Sequence, residues 1–131
     1  MIRTAIAGLG NCASSLVQGI AYCRALGEEA IGLPMPVRGG YRAEDIEIVA
    51  AFDVDERKVG RDISEAIFAA PNCTAVFHKD VPKTGVNVLR GPTLDGVTSF
   101  MRNQPPERSF VPSNAKEPTA ADVVKSLRDA K

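Results

Sequence analysis

The stretch Thr4-Ala5-Ile6-Ala7-Gly8-Leu9-Gly10-Asn11-Cys12-Ala13-Ser14-Ser15 decides how the rest of the chain is read. Thr4–Leu9 is small, apolar and uncharged, which predicts a short buried strand at the centre of a parallel sheet. A helical period follows. Cys12, Leu16, Ile20 and Cys23 recur at i, i+4, i+8 and i+11, with Ala13 and Val17 beside them, and this set predicts the buried helix face. Gly27 is placed to end that helix as its C′ residue. Between strand and helix, Gly8-x-Gly10-x-x-Ala13 matches the G-x-G-x-x-G/A pattern of a βα turn that receives a dinucleotide. Each position has a steric reason. Gly8 permits the tight turn, Gly10 lets a pyrophosphate approach the backbone, and Ala13 lets the helix lie close to the strand. The helix N-terminus then offers free N–H groups and the positive end of its dipole. The expected cofactor-contacting set from this turn is Gly8, Gly10, Asn11, Cys12, Ala13 and Ser14, with Ser15 a further polar neighbour. The competing reading is a tight βα turn with no nucleotide role.

Beyond Gly27, Glu28–Asp45 holds Pro34, Pro36, Gly32 and the Gly39-Gly40-Tyr41 turn, and reads as an irregular surface loop. Ile46–Asp53 is the second strand. Asp53 at its end is the candidate acceptor for the adenosine ribose hydroxyls, and its charge would repel a 2′-phosphate, favouring NAD over NADP. The spacing from the glycines exceeds the usual ~20 residues, and the loop Glu28–Asp45 accounts for the excess. The alternative is that Asp53 or Asp55 only caps a following helix. Asp55–Ala70 is expected to be helical with Gly60 as its breaking point and Pro71 as its stop; Arg57 and Lys58 lie on a solvated face in this reading, the alternative being that they serve the 2′-phosphate of NADP. Asp62 with Glu65 resembles a capping pair for a second helical piece through Phe68; Asp62 is also a candidate for the adenine–ribose end. Ala75–Phe77 and Val86–Arg90 are short strand candidates. Thr93 is placed to cap a helix over Leu94–Arg102. Gln104–Pro118, with four of the nine prolines, reads as a loop or linker, and Thr119 caps a last helix reaching Ala130. The β-α-β-α-β-α order predicts an α/β fold, a parallel sheet with flanking helices.

The chain has 131 residues, one domain or part of one, with 44% apolar and 24% charged residues, as in a globular fold. Lys+Arg and Asp+Glu are 16 each, so no positive field points to nucleic acid. The longest apolar stretches are far shorter than the ~20 residues that span a bilayer, so no membrane partner is expected. Three cysteines, Cys12, Cys23 and Cys73, without C-x-x-C spacing fit a reducing cytoplasm. His78 and Cys73 lack the further ligands of a structural zinc site, so no metal is expected, and His78 reads as a surface residue near a strand.

The motif from Gly8 to Gly19, Val49–Asp55 with Lys58-Val59-Gly60, Ala66–Ala70, and Arg90-Gly91-Pro92-Thr93-Leu94-Asp95-Gly96 together resemble myo-inositol-1-phosphate synthase (inositol-3-phosphate synthase) of the bacterial and archaeal type. The resemblance runs from Ile2 to about Met101 and resumes in the last helix; Pro105–Pro118 matches poorly. It implies a Rossmann-type NAD-binding domain of which residues 1–131 are the N-terminal part, the first half. It also implies the conversion of D-glucose 6-phosphate to 1D-myo-inositol 3-phosphate by NAD-coupled oxidation, enolisation, intramolecular aldol closure and reduction. A cytoplasmic homo-oligomer, a tetramer when full length, is implied too. The family's catalytic residues, its substrate-binding and oligomer-forming domain fall in a later half, so none is assigned here and this chain alone is expected to be inactive. Asp95 either approaches the active site or belongs to a simple cap and turn over Thr93–Gly96. Two other readings stay open: a stand-alone dinucleotide-binding module without catalysis, and a different dehydrogenase sharing the fold.

Overall fold

A computed structural model describes residues 1–130. Three parallel strands, β1 (Ile2–Ala7), β2 (Ile46–Asp53) and β3 (Leu89–Arg90), form one sheet in the order β1-β2-β3. The described helices are α1 (Asn11–Leu26), α2 (Ile63–Ala66), α3 (Ser99–Arg102) and α4 (Ala120–Asp129). The α/β class and the parallel pairing are those expected, and the arrangement is Rossmann-like. β1 and β2 align from Ile2 beside Ile46 to Ala7 beside Phe52, with one shift between Thr4 and Ala5.

The first strand differs from its expected place. It spans Ile2–Ala7 rather than Thr4–Leu9 and lies at the sheet edge, with Ala5 and Ala7 exposed and Ile6 buried. Gly8 ends it: φ is +89°, and its N–H turns across to the Phe52 carbonyl at 2.8 Å. The apolar β2 takes the centre instead, buried from Ala50 to Asp53.

α1 also turns differently. Its buried residues are Ala13, Ser14, Val17, Gln18, Ile20, Ala21 and Cys23, while Cys12 and Leu16 are exposed. Ala13 and Val17 join Ile6, Leu9 and Ala51 in the core, because small side chains at i and i+4 let the helix axis approach the sheet. Gly27, at φ +55°, closes the helix with its N–H on the Cys23 carbonyl.

The Glu28–Asp45 loop is irregular as expected, with short 3₁₀ turns at Gly27–Glu29 and Ala43–Asp45. The expected helix over Asp55–Ala70 is not formed as one piece. Asp55–Gly60 is a turn, Gly60 reverses the chain at φ +85°, and helix begins only at Ile63, capped by the Asp62 carboxylate on the Ser64 N–H. Ile63 and Ala66 of this short helix and Ile67 just after it complete the core with Val88. The Ala70–Pro71 peptide bond is cis.

Ala75–Phe77 is not a strand, and only Leu89–Arg90 of the second candidate pairs with β2. Thr93 does not cap a helix. It begins a turn closed by the Gly96 N–H, and Thr98 caps the four-residue α3. Gln104–Pro118 is no free linker: the Glu56 N–H bonds the Val111 carbonyl, and the Ser113 N–H bonds the Val54 carbonyl, both at 2.8 Å. α4 follows Thr119, the expected cap, and the structure adds a capping box to Asp122.

Candidate functional site

Three segments meet where β1 and β2 end. The first is the turn Gly8–Ser14, the second is Asp53–Gly60, and the third is the stretch after α2 from Asn72 to Thr74. Leu9, fully buried, is the hub. Its N–H donates to Asp53 Oδ2 at 2.6 Å. Its carbonyl accepts from Lys58 Nζ at 2.8 Å and from Asn72 Nδ2 at 3.0 Å. Both polar groups of one peptide residue are therefore fixed from beneath.

Asp53 Oδ1 also accepts from the Val54 and Asp55 N–H groups, at 2.7 and 2.9 Å. With its ammonium neighbour Lys58 Nζ at 3.8 Å, the carboxylate is largely engaged by the protein. A carboxylate has about four acceptor sites, so some capacity for a ribose hydroxyl is left. Asp53 ties the glycine turn to the end of β2, and no helix stands there for it to cap.

Lys58 is not on a solvated helix face; it is 3% exposed. It donates to Leu9 and to Asn72 Oδ1 at 2.9 Å. Burial pushes its ammonium below the ordinary lysine value, a fall that Asp53 and Asp55 partly offset. Helical periodicity hid it, because the surrounding turn has none. The only sequence signal was a lysine close after the strand's terminal acid.

Asn11 is exposed, and its Oδ1 accepts from the Cys73 and Thr74 N–H groups at 2.8 and 3.0 Å. It thus binds the first turn of α1 to the third segment rather than standing free. Ser14 is buried and receives Gln18 Nε2 at 3.2 Å. Cys12 is exposed on the first turn. Gly8, Gly10, Asn11, Cys12, Ala13, Ser14 and Asp53 are thereby brought to one end of the sheet.

Asp62 stands apart from them. Its carboxylate caps α2 and gathers the Thr84 and Gly85 N–H groups at 3.2 and 2.8 Å. Burial alone would raise its carboxyl, but the hydrogen bonds from Ser64, Thr84 and Gly85 outweigh that and bring it down to about 2. Asp55, fully buried, grips Arg57 with both oxygens, at 2.8 Å to Nε and 2.5 Å to Nη2. Arg57 in turn donates to the Pro106 and Ser109 carbonyls at 2.8 and 2.7 Å. Asp95 is exposed in the turn after Thr93.

The residues fit a dinucleotide's diphosphate. A Cβ built on Gly8 or Gly10 meets nothing within 4 Å, so the space over the turn is open. α1 has no side-chain cap and no acidic residue in its first turn, leaving its dipole end to an anion. A separate cleft of about 730 Å³, bordered by Arg3, Arg24, Ile46, His78, Lys83 and Ala130, includes none of the expected contact residues. No described helix is long and apolar enough to cross a membrane.

No protein-family model matches the chain. A protein of Corynebacterium glutamicum named inositol-3-phosphate synthase is 49% identical over 132 residues, covering 99% of this chain and 34% of that protein. Among solved structures, that of Ari2 superposes with a TM-score of 0.71 at 29% identity, over 98% of this chain and 35% of the other. A myo-inositol-1-phosphate synthase-related protein from Thermotoga maritima gives 0.64 at 24% identity over 98% of this chain and 31% of that one, which speaks for the fold alone. The chain spans about a third of the length of the curated relatives it matches, at their N-terminal end. The resemblance read from the sequence is thus borne out: the chain is homologous to the N-terminal third of the inositol-3-phosphate synthases.

Proposed function

We propose that this chain, kin of the inositol-3-phosphate synthases over their N-terminal third, is the NAD-binding first half of such an enzyme's Rossmann domain. When bound, NAD would supply a hydride acceptor for the sugar phosphate and return the hydride later, so the net redox change is zero. The reading includes glucose 6-phosphate as substrate, inositol 3-phosphate as product and a cytoplasmic homo-oligomer. It leaves the groups that move protons to the later portion of the enzyme.

One observation supports the cofactor assignment above the others. The Gly8-x-Gly10-x-x-Ala13 turn leads from a parallel strand into the uncapped N-terminus of α1, under open space. In this reading the backbone N–H groups from Gly10 to Ala13 hold the pyrophosphate, Ser14 supports them, and Asp53 offers its remaining acceptor capacity to the ribose. Of the two basic residues that follow Asp53, Lys58 is buried and Arg57 is bound to Asp55, so neither is free for a 2′-phosphate at the surface. NAD is therefore preferred to NADP.

Gly10→Val tests this cleanly. Gly10 has φ −81° and free space around its Cβ direction, so a side chain fits the folded chain. Valine would occupy the place of the phosphate. We expect an unchanged melting temperature and a loss of NAD affinity beyond tenfold by calorimetry. Unchanged affinity would remove the assignment.

A further inference from the structure

The Leu9 carbonyl receives two donors from inside the protein, Lys58 Nζ at 2.8 Å and Asn72 Nδ2 at 3.0 Å. Lys58 and Asn72 are themselves joined at 2.9 Å, and Asn72 Nδ2 also reaches the Ile67 carbonyl at 2.9 Å. In a trans peptide the carbonyl of one residue and the N–H of the next point in opposite directions. Holding the Leu9 carbonyl inward therefore directs the Gly10 N–H outward, over the open side of the turn. The Asp53 carboxylate fixes the preceding peptide through the Leu9 N–H at 2.6 Å. The turn is thus oriented by a buried ammonium and a carboxylate from the Asp53–Gly60 segment and by an amide from the segment after α2. A turn held only by glycine flexibility would have to order itself on binding, which costs affinity.

We propose that Lys58 and Asn72 are positioning residues for the diphosphate: by gripping the Leu9 carbonyl from beneath, they aim the Gly10 N–H at the anion. The proposal rests on the dinucleotide reading above. Neither side chain touches the ligand. Their effect falls on the phosphate-binding backbone and not on the surface that would take adenosine.

The test uses this chain with ADP, NAD and adenosine as probes, and two variants. Lys58→Met keeps the length of the buried side chain and removes its donors; replacing a buried charge by a methionine of similar size is often tolerated. Asn72→Ala removes one donor and leaves the Lys58 contact in place. We expect ADP and NAD to bind about tenfold more weakly to Lys58→Met, and less than that to Asn72→Ala, with adenosine unchanged. A merely structural role would weaken all three probes alike, and that result, or unchanged ADP binding by a folded Lys58→Met, overturns the proposal. Residue-resolved hydrogen exchange on the unaltered chain gives a check that needs no variant. The Leu9 amide should be protected without ligand, and the Gly10 amide should exchange freely until ADP is added. A Gly10 amide protected in the free chain also overturns the proposal. If the unaltered chain binds neither ADP nor NAD, the dinucleotide reading itself falls, and this role with it; binding that ignores both variants removes only the role.

Discussion

Asp62 holds three backbone N–H groups and the Thr84 hydroxyl on one carboxylate, joining the start of α2 to the chain's return at Gly85. Its pKa of about 2 makes this a pH-dependent contribution. An unfolded aspartate titrates near about 3.9. Between those values the unfolded chain binds more protons, so the stabilisation is complete above the upper value and is lost as pH falls through the lower one. Urea midpoints taken from pH 5 down to pH 2 should decline more shallowly in Asp62→Asn than in the unaltered chain. Parallel declines would assign the acid sensitivity to other carboxylates, with Asp55 the next to examine. Asp53 and Asp62 were both legible as acids with work to do, since each follows an apolar or capping pattern. Lys58 and Asn72 were not, because the Leu9 carbonyl that they share is distant in sequence from both, and no local spacing encodes such a contact.

At the scale of elements, α1 shows what periodicity can and cannot say. Its existence, its N-terminal turn and its Gly27 stop were all readable from residue types. Its orientation was not, since Cys12-Leu16-Ile20-Cys23 and Ala13-Val17-Ala21 are both apolar rows on one cylinder. The choice fell to close packing of small residues and to Gln18. That amide is fully buried. Its Nε2 donates to Ser14 and to the Ala75 carbonyl, and its Oε1 accepts from the Phe77 and His78 N–H groups at 3.0 and 3.2 Å. The short run Ala75–Phe77 is a strand candidate in the sequence, and in the structure a side chain, not a neighbouring strand, bonds its backbone. Gln18→Leu keeps the volume and removes all four bonds. We expect a loss of about 1–3 kcal/mol in stability and faster exchange of the Phe77 and His78 amides. Unchanged exchange at those two amides would show that the segment is held by other contacts.

For the whole molecule, the open edge of β1 is the main exposure. The strand has a neighbour on one side only, and beyond Arg3 its residues through Ala7 are uncharged. Such an edge invites pairing with another chain. Size-exclusion chromatography should therefore find this chain as a dimer or larger, and Ala5→Lys, a charge on an exposed edge residue, should return it to monomer. A monomeric unaltered chain would show that the edge is inert. The Asp55–Arg57 grip has a consequence of another kind. A protease must draw several residues of extended chain into its cleft, and exposed, polar loop segments are its usual targets. Gln104–Pro118 has that composition, yet Arg57 holds the Pro106 and Ser109 carbonyls, and the Asp55 carboxylate takes the Val111 N–H at 3.1 Å. Trypsin should accordingly spare the Arg108–Ser109 bond in the native chain and cut it rapidly in Arg57→Gln, with the bond after Arg61, whose carbonyl accepts from the Val88 N–H, still resistant. Equal cutting in both chains would mean that the grip does not govern access. A segment that reads as the easiest place to nick the protein is, by virtue of one ion pair anchored on a buried carboxylate, among those a digest should reach late.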